Sequence, residues 1–245
     1  MSIYSNFARY YDSLTANVDY KSIANAIEGY IKENAPTSNL LLDVACGTGS
    51  LAIELANLGY DVIGVDSSCE MLSEAMGKAC SQGKQILFLN QSMCELDLYG
   101  TVGVAVCTLD SINHITDIDV VDKVFSKVSL FLENDGLFIF DINTPYKHSN
   151  ILADNAFVYD CEDVYCVWQN NTENDITTIN LDFFENDGDV YYRSSETFCE
   201  RAYSCEEIEK LLSKNGLKVI SKYDDYTKVA VGEKTQRIVY VVGKV

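Results

Sequence analysis

The chain has 245 residues, enough to bury a substantial core as one large domain or as a domain with a smaller appendage. Its net charge of -19, with no run of Lys or Arg, argues against nucleic acid and anionic membrane surfaces as partners. No apolar stretch approaches the ~18 residues of a membrane span, and the first residues lack a basic region followed by an apolar one, so we expect a cytoplasmic protein without membrane association.

Apolar spacing in the first part of the chain predicts helices and strands that alternate. Pro36 ends the first helix, and Gly59 ends the second. The predicted helices cover about 20–34, 51–58, 71–79 and 121–128, and the predicted buried strands cover about 40–44, 60–66, 86–89, 102–109 and 137–142.

The pattern changes at Tyr146. Three runs of alternating apolar and polar residues, at about 157–168, 176–184 and 190–199, predict an antiparallel meander. Ser204 and Glu207 then have the spacing of a capping box in front of an apolar-striped helix. Two final runs, at 217–223 and 237–242, are close enough in sequence to pair as a hairpin.

The alternation of strand and helix predicts an α/β fold, with a doubly wound, Rossmann-like sheet of seven strands that finishes with an antiparallel strand. The meander is predicted to be a small antiparallel β insertion into this fold. We assign residues 1–145 and 204–245 to the main, ligand-binding domain, and residues 146–203 to the insertion, which we expect to act as a lid and substrate wall.

The segment Leu40 to Gly49, LLLDVACGTG, carries the strongest functional signal. Its Gly-Thr-Gly turn lets the backbone approach a ligand that a Cβ would push away. Asp66 ends the next strand, where a carboxylate can accept hydrogen bonds from both hydroxyls of a ribose. Asp43 could be merely a carboxylate at the end of a strand, but a buried acid beside the turn needs a partner. These residues predict a nucleoside site, although Gly47 to Ala52 also fits the dinucleotide pattern GxGxx(G/A).

The segments Leu42 to Gly49, Val62 to Ser68 with Met71, and Asp110 to His114 resemble the class I S-adenosylmethionine-dependent methyltransferases, and the resemblance covers nearly the whole chain. It implies that the glycine turn receives the methionine part of S-adenosyl-L-methionine and that the acid ending the second strand holds the ribose. The aromatic segment from Tyr4 to Asp12 resembles the part of the family that folds over the cofactor. The implied cofactor-binding residues are Tyr11, Asp43, Ala45, Gly47, Gly49, Asp66, Ser67, Met71, Ser92, Met93 and Cys107.

Ser92 departs from the family pattern. Many relatives carry an acid at this place, after the third strand, and that acid bonds the adenine amino group. We therefore expect adenine to rest on Ser92 and neighbouring main chain, beside Met93 and Met71. A hydroxyl in place of the carboxylate is expected to weaken cofactor binding by about 1 kcal/mol.

The residues after the fourth strand are expected at the methyl acceptor. His114, one of two histidines, is the predicted catalytic residue, as a general base or as a hydrogen-bond partner of the acceptor; a structural histidine satisfied by main chain is the alternative. Arg201 could hold an anionic group of the substrate or form a plain surface ion pair. The predicted substrate-binding residues are Asp110, Asn113, Trp168, Arg201 and Tyr203.

Metal chemistry is not expected, because the carboxylates and the two histidines show no ligand spacing. The nine cysteines are an odd number without Cys-x-x-Cys spacing, which predicts mostly reduced thiols.

The predicted function is methyl transfer from S-adenosylmethionine to a small molecule, at nitrogen or oxygen rather than carbon. Within the family the chain is similar to amino-sugar N-methyltransferases and bacterial relatives without an assigned substrate. An NAD-dependent oxidoreductase and a non-catalytic, cofactor-binding regulatory module are the alternatives. The identity of the acceptor and the oligomeric state stay open.

Overall fold

The computed structural model describes residues 5–162 and 164–245, so Tyr4 of the aromatic N-terminal segment lies outside the described residues. The helices are α1 (Ser5–Leu14), α2 (Tyr20–Asn34), α3 (Ser50–Asn57), α4 (Cys69–Ser81), α5 (Ile118–Phe131), α6 (Pro145–Lys147) and α7 (Cys205–Lys214). The strands are β1 (Leu40–Val44), β2 (Asp61–Asp66), β3 (Leu87–Asn90), β4 (Val102–Cys107), β5 (Leu132–Asn143), β6 (Ala156–Asp160), β7 (Val164–Glu173), β8 (Ile176–Asp187), β9 (Val190–Arg201), β10 (Leu217–Asp224) and β11 (Arg237–Lys244).

The main sheet has seven strands in the order β10-β11-β5-β4-β1-β2-β3. Its central strands run parallel, and β11 runs antiparallel to both β5 and β10. This confirms the predicted fold class, including the antiparallel strand near the end of the chain. The reversal in strand order between β1 and β4 places the carboxyl ends of β1, β2 and β4 around one crevice, where open α/β sheets bind ligands.

Apolar side chains cover both faces of the main sheet. One core cluster joins the sheet to α5 and α7 and contains the stacked rings of Phe138, Phe140 and Tyr240. The other joins the sheet to α2 and α3. All six residues of β4 are buried, as expected for a central parallel strand with helices on both sides. The capping box predicted at Ser204 and Glu207 begins α7.

The insertion forms a second, four-stranded antiparallel sheet in the order β6-β7-β8-β9. The prediction of three runs was wrong at its first run, which folds as two strands, β6 and β7. The Cys161 N–H donates to the Val164 carbonyl at 3.0 Å and closes the turn between them. The segment holds no Gly, Pro or Asn, so its turn signal is limited to Asp160 and Asp163.

Strand β4 ends at Cys107, two residues earlier than predicted. Leu109 and Asp110 both adopt left-handed backbone conformations, with φ of +54° and +53°, which cannot continue a strand. Strand β5 begins earlier than predicted, at Leu132. None of the helices in the described ranges is long and apolar enough to cross a membrane.

Candidate active site

The glycine turn is built around left-handed residues. Gly47 and Gly49 have φ of +53° and +73°, and Ala45 has φ of +57°. A Cβ on Gly49 would lie 2.9 Å from the Cβ of Ala75 in α4, so only glycine lets the turn pack against that helix. A Cβ on Gly47 would meet no atom within 4 Å, because Gly47 faces an open cleft.

Asp66 fixes one wall of that cleft. Its Oδ2 accepts a hydrogen bond from the Gly47 N–H and its Oδ1 accepts one from the Ser68 N–H, both at 2.9 Å. Burial raises the pKa of Asp66, while these donors oppose the shift. Each carboxylate oxygen has a further lone pair for a ligand. The cleft, of about 140 Å³, is also lined by Ala45, Ser67, Met71 and Met93.

Asp43 lies beneath the glycine turn and is 2% exposed. Its Oδ2 has no hydrogen-bond partner in the described part of the chain. Burial, and then the charge of Asp66, raise the pKa of Asp43 to about 8. A buried carboxylate oxygen without a donor carries a desolvation penalty that a cationic ligand group would relieve. Asp43 lines a small cavity of about 30 Å³, together with Thr108 and Ser111.

Helix α1 is tied to the glycine turn by Asp12. The Asp12 carboxylate accepts a hydrogen bond from Thr48 Oγ1 at 2.7 Å and forms an ion pair with Lys78 Nζ at 2.5 Å. Lys78 also donates to Ser50 Oγ at 2.8 Å. These contacts hold Tyr11, the neighbour of Asp12, in place. Tyr11 lines the cleft and also a second cavity that adjoins the cleft.

A buried ionic network supports the loop after β4. The main-chain N–H groups of Leu109 and Asp110 each donate to the Asp141 carboxylate at 2.7 Å. Arg237 bridges Asp141 at 2.7 Å and Asp110 at 2.8 Å, and Tyr226 donates its hydroxyl to Asp141. Burial raises the pKa of Asp141 despite the charge of Arg237. These bonds compensate the strain of two adjacent left-handed residues.

A second cavity, of about 230 Å³, lies between the main sheet, α1 and the second sheet. It shares Tyr11, Leu109 and His114 with the cleft, so the two spaces adjoin at these residues. Phe198 and Trp168 belong to its apolar wall. Its ionisable lining residues are Tyr11, Asp110, His114, Lys147, Tyr159, Cys166, Glu200 and Arg237.

His114 stands at the junction of the two spaces. Its ring stacks on Phe198 with centroids 5.1 Å apart, and its side chain is 32% exposed. Desolvation lowers the pKa of His114 although Asp110 opposes this, so the imidazole is neutral at pH 7. Its Nε2 lies 3.8 Å from Glu200 Oε1. A neutral imidazole at this place can accept a proton.

Comparison with known proteins identifies the family to which this chain belongs. Residues 41–136 match the family described as "Methyltransferase domain". The putative methyltransferase YqeM of Bacillus subtilis is 31% identical, over 99% of this chain and 97% of its own length. A solved S-adenosylmethionine-dependent methyltransferase from Clostridium acetobutylicum is 39% identical, covers 99% of both chains and superposes with a TM-score of 0.90. This chain is a class I S-adenosylmethionine-dependent methyltransferase.

Another solved structure, DesVI of Streptomyces venezuelae, superposes with a TM-score of 0.81 at 20% identity, over 98% of this chain and 99% of DesVI, which shows the shared fold. The cofactor of the methyltransferase is S-adenosylmethionine. The glycine turn fits this molecule, because Asp43 offers an unpaired carboxylate oxygen to an ammonium group and Asp66 offers two acceptors to a ribose. The family assignment also excludes the alternative that this chain is an NAD-dependent oxidoreductase.

The structure brings most predicted cofactor residues together. The cleft and the small cavity under the turn are lined by Tyr11, Asp43, Ala45, Gly47, Asp66, Ser67, Met71 and Met93. Gly49 lies behind the turn, against α4. Cys107 is fully buried in the core, and Ser92 begins the short 3-10 helix at Met93–Glu95 outside the cleft lining.

The predicted substrate residues divide into two groups. Asp110 and Trp168 line the second cavity with His114. Asn113 is fully buried and holds the main chain of Asn143 and Arg201, with its Nδ2 donating to both carbonyls.

Arg201 and Tyr203 do not line the cavity. Arg201 forms an ion pair with Glu207 at 3.0 Å, which was the alternative interpretation. Tyr203 lies in the core and donates its hydroxyl to the Ile115 carbonyl. Arg201 is the last residue of β9 and Tyr203 lies two residues beyond it, and the alternation of apolar and polar residues did not reveal where their side chains lie.

Sequence reasoning missed the polar residues that the fold gathers from distant segments. Among the described residues, possible metal ligands on Asp110, His114 and Glu200 lie within 4.8 Å of one another, although no spacing in the sequence indicated this. Arg237 already compensates the charge of Asp110, and its charge, with that of Lys147, lowers the pKa of Asp110 against the effect of burial. One feature of the sequence could have indicated Glu200. It is an acid two residues after Phe198 in β9, so both side chains lie on the same face of the strand.

Proposed function

We propose that this methyltransferase modifies a nitrogen or oxygen atom of a small molecule held in the cavity between its two sheets. The observation that carries the proposal is an enclosed space of about 230 Å³ that adjoins the cofactor cleft at Tyr11, Leu109 and His114. A cavity of this size suits a small metabolite. The acidic surface, with a net charge of -19, disfavours nucleic acid as the acceptor.

The solved neighbours support a small acceptor. KedS8 of Streptoalloteichus is named a sugar N-methyltransferase, and CalS10 of Micromonospora is named an amino pentose methyltransferase. Their identities of 20% and 17% limit the likeness to the fold, which includes 94% and 96% of this chain. In this proposal residues 1–145 and 204–245 bind the cofactor, and the insertion at 146–203 is the wall that selects the acceptor.

The bound cofactor supplies a methyl group activated by the sulfonium. The protein has to align the acceptor with it, exclude water and take a proton. Helix α1 and the second sheet enclose the reacting atoms. The bond from the acceptor atom to the methyl carbon forms as the carbon–sulfur bond breaks, and the proposed proton acceptor is His114 Nε2.

The test measures formation of S-adenosylhomocysteine with panels of small amines and hydroxylated metabolites. With an accepted substrate, His114→Phe keeps a ring that can stack on Phe198 but removes both ring nitrogens. We expect turnover to fall by about 100-fold, the scale of one general base, with unchanged affinity for S-adenosylhomocysteine. Unchanged turnover in His114→Phe would show that the histidine only packs. Turnover on protein or RNA, but on no small molecule, would contradict the proposed function.

A further inference from the structure

Glu200 is a buried acid on the wall of the acceptor cavity. It lies in β9 opposite Thr177 of β8 and is 3% exposed. Its Oε2 accepts a long hydrogen bond from Asn143 Nδ2, at 3.5 Å, and lies 3.8 Å from His148 Nε2. No donor in the described ranges lies within hydrogen-bond distance of its Oε1, which is 3.8 Å from His114 Nε2. A carboxylate oxygen is therefore held at the cavity without a partner.

The other groups around Glu200 do not satisfy it. His148 is buried, its Nδ1 shares a 2.8 Å hydrogen bond with Thr177 Oγ1, and burial lowers its pKa to about 4, so it carries no positive charge at pH 7. Lys147 donates to Asn143 Oδ1 at 2.8 Å, and Arg237 is engaged by Asp110 and Asp141. A buried carboxylate oxygen without a donor, here Oε1, costs free energy that a ligand carrying donors would recover.

We propose that Glu200 binds the amino group of the methyl acceptor, so that the acceptors of this enzyme are primary or secondary amines. This inference rests on the proposed function and names its substrate class. An amine placed between Glu200 Oε1 and His114 Nε2 would lie beside the residues that the cavity shares with the cofactor cleft. The rings of Phe198, Trp168 and Tyr11 line the same space and favour a positively charged guest.

The proton balance also favours an amine. The acceptor arrives as an ammonium ion held by Glu200 and gives one proton to His114 Nε2, which leaves the nitrogen lone pair free. Nitrogen then bonds to the methyl carbon as the carbon–sulfur bond breaks, so the positive charge passes from sulfur to nitrogen.

Burial, and then Asp110, raise the pKa of Glu200 to about 8, so Glu200 of the free protein is mostly protonated at pH 7 and a bound ammonium ion favours its ionised form. Asp110, His114, Lys147, His148 and Arg237 are the other ionisable groups facing it. Hydroxyl groups are far weaker acids than ammonium ions, and a carboxylate would not activate them.

The first experiment measures binding and needs no knowledge of the natural acceptor. The complex of the protein with S-adenosylhomocysteine is titrated calorimetrically with benzylamine and with benzyl alcohol, in buffer containing EDTA. We expect benzylamine to bind at least about tenfold more tightly, the scale of one charge-assisted hydrogen bond. Glu200→Gln should remove this preference. Glu173→Gln, an exposed acid of the same sheet, is the matched control and should keep it.

The remaining outcomes of this titration each count against the inference. Equal binding of the two probes, no binding of either, or an amine preference that survives in Glu200→Gln would overturn it. A preference that appears only when EDTA is replaced by Mg²⁺ or Zn²⁺ would assign Asp110, His114 and Glu200 to a metal site instead. Unchanged affinity for S-adenosylhomocysteine in the variants shows that they are folded.

Turnover separates this inference from the proposed function. Glucosamine and glucose, and further matched pairs of amines and alcohols, are assayed with S-adenosylmethionine. Methylation of amines, with a pH profile of kcat/KM that changes in Glu200→Gln but not in Glu173→Gln, is the expected result. Methylation of the alcohols alone would keep the small-molecule function and overturn the amine assignment. Amine binding without methylation of any small molecule would instead contradict the proposed function.

Discussion

The cofactor cleft and the acceptor cavity meet at three residues, yet the chain builds them in different ways. The cleft takes its lining mostly from residues 45–93, at the ends of neighbouring parallel strands and the turns that follow them. The cavity takes its lining from α1, from the ends of β4 and β5, from all four strands of the second sheet and from Arg237. One site is nearly continuous in sequence, and the other is assembled from distant segments.

This difference extends to the electrostatics. In the cleft, main-chain N–H groups hold Asp66, and Asp43 has an oxygen with no partner in the described chain. In the cavity, side chains from distant positions hold one another, as in the bridge from Arg237 to Asp110 and Asp141. The cleft therefore depends on backbone geometry, whereas the cavity depends on long-range ion pairs.

Arg237→Met should have the largest effect, because it breaks the ionic network on the cavity side. It leaves the buried Asp141 and the partly buried Asp110 without their cation and removes support from two left-handed residues. We expect the free energy of unfolding to fall by about 3–5 kcal/mol, measured by urea denaturation.

Arg193→Met is the matched control, because Arg193 also holds one carboxylate, that of Asp182, with two nitrogens, but at a 62% exposed position. It should cost at most about 1 kcal/mol. Equal losses in the two variants would refute the idea that the cavity depends on buried ion pairs.

The pH dependence of cofactor binding tests the cleft by itself. With a pKa of about 8, Asp43 of the free protein is mostly protonated at pH 7, whereas binding of the cofactor ammonium requires the ionised form. Affinity for S-adenosylhomocysteine should therefore rise as the pH rises from 6 to 8, by up to about tenfold per pH unit, and level off above.

Calorimetry in two buffers of different ionisation enthalpy should show proton release on binding at pH 7. The variant Asp43→Asn should bind more weakly, with little change between pH 6 and 8. A flat profile for the unaltered protein would mean that Asp43 does not pair with the ligand.

The same contrast explains what the sequence could predict. The glycine turn and Asp66 follow from local patterns, because the carboxyl ends of adjacent parallel strands must lie together. The seven-stranded sheet was also predictable, because strands and helices alternate along the chain. Glu200 and Arg237 lie in segments with no motif of their own, and their partners are distant in sequence.

The incorrect boundaries have a similar cause. The segment between β6 and β7 has only Asp as a residue type that usually marks turns. The end of β4 depends on the Asp141 carboxylate, which the main chain of Leu109 reaches only in the folded protein. Arg201 illustrates the limit for side chains. Its position after an alternating run left both a substrate contact and an ion pair open, and only the register of β9 distinguishes them.

Asp12→Asn should have the smallest effect on ligand binding. It weakens the contact of Asp12 with Thr48 and Lys78, which holds α1 against the glycine turn. The Asp12 side chain in its ion pair with Lys78 is 47% exposed, so the variant should lose less than about 1 kcal/mol of interaction free energy. Such a loss corresponds to release of S-adenosylhomocysteine that is about two- to fivefold faster. Stopped-flow displacement measures this rate. The control is Asp122→Asn, which removes a similar pair with Lys214 between α5 and α7 and should leave release unchanged. If release from Asp12→Asn is also unchanged, α1 does not limit exit from the cleft, and the two sites are coupled only through the residues that they share.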